Sequence, residues 1–149
     1  MSWEQAMEKM EQEPRKMLVN VYTEWCNWCK RMDETTLQQS QIVNYINANY
    51  YPVKFDAERK KEITYQDKTY KYVKSGRRGY HELAAEILRG RLSFPSIAFL
   101  DEDKNVIQSV SGYKTPRQFE LIITYFAKDH YKNTPWSTYQ ASYTPITDR

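Results

Sequence analysis

Cysteine is scarce in this 149-residue chain: there are two, and both lie in the run Trp25-Cys26-Asn27-Trp28-Cys29-Lys30. None is left over for a structural disulfide elsewhere in the fold. A redox-active pair operates in either an oxidising or a reducing compartment, so this scarcity does not fix the location. Histidine is equally scarce, and His81 and His130 show no ligand spacing. Structural zinc usually needs four protein ligands, so no metal is expected. No apolar run approaches the length of a membrane span. Charge of one sign is missing as well. The 22 basic and 19 acidic residues are interspersed and leave a formal +3, which argues against a nucleic-acid partner. The start, Met1-Ser2-Trp3-Glu4-Gln5, lacks the basic-then-apolar pattern of a secretory leader. The expectation is therefore a cytoplasmic protein, or else the mature form of an exported one. There is no internal repeat.

What is present suits one domain with a real hydrophobic core, since apolar residues make up 40% of the chain and charged residues 28%. Tyrosine is abundant, at 13 residues, and can bury a ring while its hydroxyl stays wet. Ser2 and Gln5 are spaced as a capping box, with Trp3, Ala6, Met7 and Met10 at helical spacing and Pro14 ending the helix. Residues 17–22 read as a buried strand and residues 30–37 as a helix. Ser40 is expected to cap a short helix carrying Ile42, Val43 and Ile46, and residues 50–56 form a strand.

Residues 62–65 and 69–73 flank Gln66-Asp67-Lys68 as a β-hairpin. Ser75-Gly76-Arg77-Arg78-Gly79 is a basic loop, read as solvated, and residues 80–92 are expected to be a helix with Leu83, Ala84, Ile87 and Leu88 inward. His81, at its start, is given a surface or capping role. Ser93-Phe94-Pro95-Ser96 opens a strand at 97–100, which turns into a second at 106–110. Thr115-Pro116-Arg117-Gln118 starts a last helix with Phe119, Ile122, Ile123 and Phe126 on its apolar face. Residues 131–149 are read as an extended segment wrapping the surface and frayed at its end.

The cysteines sit where a strand meets a helix, and that placement points to thiol–disulfide chemistry. At the helix start, unpaired backbone N–H groups and the positive end of the helix dipole stabilise a thiolate on Cys26. Cys29, one turn later on the same side, is placed to close a small disulfide ring. Cys26 is thus read as the exposed attacking thiol and Cys29 as the resolving one. Trp25 walls the site, and Trp28 either offers a flat apolar surface to a substrate or simply packs. Lys30 adds positive potential or is only solvated.

The order of elements, the Trp-Cys-x-x-Cys-Lys run and Ser93-Phe94-Pro95-Ser96 resemble the thioredoxin family, and Gly112 falls where thioredoxins carry a glycine. The longer string from Tyr22 to Asp33 is similar to bacterial thioredoxin-fold proteins described as disulfide isomerases, many of them exported to the cell envelope. The resemblance covers about residues 1–130. It implies an α/β fold with a mixed central sheet flanked by helices; against that pattern, residues 57–80 look like an inserted hairpin and basic loop. It also implies a cis-proline at Pro95, with the Phe94 backbone offered to a substrate strand. The activity implied is disulfide exchange with protein or peptide substrates, by a monomer that needs no cofactor and draws electrons from a redox partner. A peptide-binding or chaperone-like module with minor redox activity is the alternative. Two departures stand out. Asn20 occupies the place of a buried aspartate that accepts a proton from the second thiol, and Asn27-Trp28 replaces the usual Gly-Pro. Glu24 and Asp33 are the nearest acids in sequence that could stand in for the missing one.

Overall fold

Strand β1, Lys16–Tyr22, is buried along most of its length because it lies inside a four-stranded sheet. The computed structural model describes residues 1–146. In the sheet, β1 pairs in parallel with β2, Tyr50–Asp56, and antiparallel with β7, Ser96–Leu100; β7 in turn pairs antiparallel with β8, Val106–Ser111. Successive strand side chains alternate between faces, so the sheet separates two apolar clusters. Val19, Val21, Ala98 and Leu100 meet Trp3 and Met10 of α1, Trp3–Gln12, on one face. Leu18, Ile97 and Phe99 meet Ile42 of α3, Ser40–Asn49, and Phe119 and Phe126 of α5, Pro116–Ala127, on the other.

Capping chemistry read from the sequence recurs at two helices. Ser2 and Gln5 form a reciprocal box at α1, and Thr115 and Gln118 form another at α5. At α3 the expectation fails by one residue: Gln39 is the cap, without a side-chain bond, and Ser40 is already helical.

Two consecutive hairpins occupy the stretch after β2. Ile63–Tyr65 (β3) pairs with Lys68–Tyr70 (β4), and Tyr72–Ser75 (β5) with Arg78–His81 (β6). The basic loop is therefore the tip of the second hairpin, with Gly76 at φ +64° in its turn. The helix expected over residues 80–92 is much shorter. Tyr80 and His81 belong to β6, paired with Val73 and Tyr72, and α4 spans only Glu82–Ile87. Its apolar residues supply the inward stripe, but Arg89 and Gly90 take positive φ and end it.

His81 is buried rather than on the surface, though it does cap α4. Its Nδ1 accepts the Leu83 N–H at 3.1 Å while its Nε2 lies 3.0 Å from the Lys61 carbonyl. This pairing requires a neutral ring protonated at Nε2, and burial pushes its pKa below the ordinary 6.5. The unfolded chain then binds the extra proton first, so this contribution to stability is complete above about pH 6.5 and is lost as pH falls through the lowered native value. We expect the melting temperature to decline between about pH 7 and about pH 5. His81→Asn, which keeps a capping acceptor but cannot titrate, should flatten that decline. An equal slope in both proteins would assign the pH dependence elsewhere.

The segment after α5 is helical where an extended run was expected. A 3-10 turn at His130–Lys132 precedes α6, Trp136–Ser142. Tyr139 is buried there, its hydroxyl donating to Thr124 Oγ1 at 2.5 Å, and its ring lies 5.0 Å from that of Tyr125. Packing on α5, rather than local propensity, thus accounts for the helix. The expected fraying at the chain end concerns residues 147–149, outside the described residues.

Candidate functional site

Cys26 is the N-cap of α2, Asn27–Thr35, and its Sγ accepts the Cys29 N–H at 3.0 Å. A tight turn sets this up, with the Cys26 N–H donating to the Thr23 carbonyl at 3.3 Å just after β1. The two cysteines are joined as a disulfide, with Cα atoms 5.3 Å apart. The expectation of an exposed Cys26 needs correction: in this oxidised form Cys26 is 5% and Cys29 3% exposed. What separates them is position, since the sulfur of Cys26 already takes a helix amide as a donor.

Sheet register brings the proline segment to this turn. Ser96 pairs with Val21, so residues 93–95 lie beside the chain leaving β1. The Phe94–Pro95 peptide is cis, and the Pro95 carbonyl accepts the Gly112 N–H at 2.8 Å. Gly112 sits at φ +91°, in the left-handed region where glycine is favoured. Trp25 meets Phe94 edge to face, with ring centres 6.2 Å apart. Its Nε1–H donates to Glu58 at 3.1 Å, and the Arg78 guanidinium lies 4.6 Å from its ring centre. Trp28 is 58% exposed and lies 5.5 Å from Tyr113, whose hydroxyl is 2.7 Å from that of Thr35. Trp28 therefore remains largely open to solvent. The cysteine turn carries one aromatic pair on the hairpin side and another on the side of the β8–α5 connection.

The remaining sequence candidates are more dispersed. Lys30 is exposed, as is Glu24. Asn20 is half-buried and stands opposite Lys54 in the β1–β2 register, and Lys54 reaches Asp33 at 3.3 Å. The Asp33 carboxylate, one turn beyond Cys29 on α2, is thus held by a cation. A carboxylate in place of Asn20 would put a proton acceptor on the strand leading to the cysteine turn. We expect Asn20→Asp to speed resolution of a Cys26 mixed disulfide near neutral pH by roughly tenfold, followed by rapid-mixing release of a chromogenic thiol. An unchanged or slower rate would mean that another group or water already takes the proton.

Glu58, Arg78 and Tyr113 border this site and were not singled out for it in the sequence. Arg77-Arg78 was visible as a basic pair, but only the β5–β6 register returns Arg78 to Trp25. Among the described residues no group of three or more His, Cys, Asp or Glu side chains is arranged to hold a metal ion. No helix among them is long and apolar enough to cross a membrane.

Residues 3–127 match the Thioredoxin-like domain family. No curated protein sequence matches significantly. Among solved structures, a thioredoxin-fold protein from Helicobacter pylori is similar, with 18% identity, 86% of this chain and 79% of that one covered, and a TM-score of 0.65. A thioredoxin from Thermus thermophilus shares 13% identity over 97% of this chain and 95% of that one, with a TM-score of 0.60. The oxidoreductase DsbH shares 16% identity over 86% and 83%, with a TM-score of 0.58. At these identities the likeness is one of fold.

Proposed function

This chain belongs to the Thioredoxin-like domain family, and we propose that it is a thiol–disulfide oxidoreductase that exchanges disulfides with protein or peptide substrates through Cys26 and Cys29. The observation that carries this reading is the Cys26–Cys29 disulfide closed at the N-terminus of α2, with the Cys26 sulfur accepting a helix amide. On reduction, the same amide and the helix dipole favour a thiolate at Cys26.

In the reducing direction the Cys26 thiolate attacks a substrate disulfide. One substrate sulfur leaves as a thiolate and the other stays bonded to Cys26. Cys29, once deprotonated, attacks the Cys26 sulfur; the second substrate thiolate leaves and the Cys26–Cys29 bond re-forms. Two electrons pass from the pair to the substrate. In the oxidising direction the same bonds form and break in reverse order. The cysteine pair itself stores the electrons, so the reading calls for no bound cofactor, only a redox protein that resets the pair.

Recognition is assigned to the groove walls. The Phe94 main chain forms no hydrogen bond among the described residues and is available to an extended substrate strand beside Pro95. Trp25 and Trp28 supply apolar surface next to the thiols. The direct test is catalytic turnover of a protein disulfide by the reduced and recycled protein, with a requirement for both cysteines. Polypeptide binding without turnover would favour the binding-module alternative.

A further inference from the structure

We infer that the β5–β6 hairpin builds a substrate-specificity pocket beside the thiols. It takes one apolar, preferably aromatic, side chain of a polypeptide whose neighbouring residue is acidic. The inference rests on the exchange reaction proposed above and specifies which disulfides undergo it.

A cavity of about 220 Å³ opens between the hairpin and the cysteine turn. Trp25 and Phe94, which adjoin Cys26 and Pro95 in sequence, wall it together with Leu92; Ala57 closes it just after β2, and Gly79 and Arg78 face it from β6. Sites for whole small molecules usually run from about 300 to about 1,000 Å³, so this volume suits a single side chain. The tight hairpin that carries the β6 wall depends on the absence of a side chain at Gly79. A Cβ there would come within 2.2 Å of the Tyr72 hydroxyl and 2.5 Å of the Val73 carbonyl. Glycine thus lets the two strands of the hairpin close tightly over the Tyr72 ring.

Two observations fix the occupant. Trp25 adjoins Cys26 and Phe94 adjoins Pro95, so a side chain held between them belongs to a residue close in sequence to the substrate cysteine. An extended chain advances only about 3.3 Å per residue. The charge of the rim selects what lies beside it. Arg78 lines the cavity, and the hairpin that carries it, residues 71–81, also holds Lys71, Lys74 and Arg77 and no acid. Glu58 also lines the cavity, but its carboxylate is already engaged, accepting the Trp25 Nε1–H at 3.1 Å and lying 3.8 Å from Arg78. Lys74 and Arg77 form no ion pair among the described residues and are exposed. An acidic substrate residue is therefore attracted, and a basic one repelled.

The test uses the reduced protein and short peptides whose single cysteine is disulfide-linked to thionitrobenzoate. Attack by Cys26 on the peptide sulfur breaks that bond and releases the acidic, coloured thiol. Phe against Ala, and Asp against Lys, are compared at positions flanking the cysteine. We expect Phe to exceed Ala by about tenfold in second-order rate, the range one apolar side chain gives in a pocket. Asp should exceed Lys at low salt, with the advantage fading as salt is added. Ser75→Trp, which fills the cavity, should bring the Phe-to-Ala ratio to about one, and Arg78→Glu should reverse the Asp-to-Lys preference. Each ratio is taken within one variant, so a general loss of activity does not imitate the effect. A wild-type protein that reacts with all peptides equally, or ratios unmoved by both variants, would overturn the pocket. Failure of the wild-type protein to react even with cysteine–thionitrobenzoate would overturn the exchange reaction itself.

Discussion

Cys26→Ser is expected to lower disulfide exchange by roughly three orders of magnitude or more, because a hydroxyl without a strong base beside it does not replace a thiolate nucleophile. Cys29→Ser should behave differently. Cys26 still attacks, but nothing within the protein attacks back, so a mixed disulfide with the substrate accumulates while turnover stops. The asymmetry follows from position on α2. Cys26 caps the helix and its sulfur accepts an amide, whereas Cys29 lies inside the first turn and supplies that amide from its backbone. In the reduced protein, alkylation followed against pH should therefore give Cys26 the lower apparent pKa. Faster alkylation of Cys29 near neutral pH would reverse the roles. Burial does not make this distinction, since both sulfurs belong to nearly inaccessible residues while the disulfide is closed.

The part of the site that is local in sequence was legible there. The strand ending at Tyr22 and a helix just after the cysteines follow from an apolar run and a cysteine pair at one-turn spacing, although the helix read over residues 30–37 runs from Asn27 to Thr35. Phe94 and Pro95 were reachable only through resemblance, because nothing in their own sequence says that Ser96 pairs with Val21. Glu58 and Arg78 were beyond reach for the same reason. Their approach to Trp25 depends on a loop and a hairpin folding back over the site. The two larger misreadings share a cause in tertiary structure. Leu83, Ala84, Ile87 and Leu88 have helical spacing, yet cross-strand pairing claims Tyr80 and His81 before the helix begins. The Tyr-rich tail has little helical signal of its own, and α6 exists where Tyr139 finds Thr124 and Tyr125 on α5.

Phe99→Ala should be the most damaging single core substitution proposed here, lowering stability by about 3–5 kcal/mol. Phe99 is completely buried on β7, opposite Leu18 of β1. Its ring stacks 4.5 Å from that of Phe126 and lies 5.8 Å from that of Tyr50, so one side chain joins the sheet to α5 and to the start of β2. Removing it leaves a cavity with rigid strand backbone on one side, where collapse is limited. For a chain of this size each kcal/mol is worth about 2–4 °C, so the melting temperature should fall by roughly 10 °C or more. Phe99→Leu fills more of the same space and should cost well under half as much. In urea, the midpoint should move while the slope stays constant if the loss is confined to native packing. Although β7 also carries the Pro95 segment to the cysteine turn, Phe99 packs against α5 and β2 away from that turn, so exchange activity should survive in the folded fraction at low temperature. It should then disappear together with the thermal transition. Loss of activity well below that transition would mean that Phe99 positions the groove as well as stabilising the sheet.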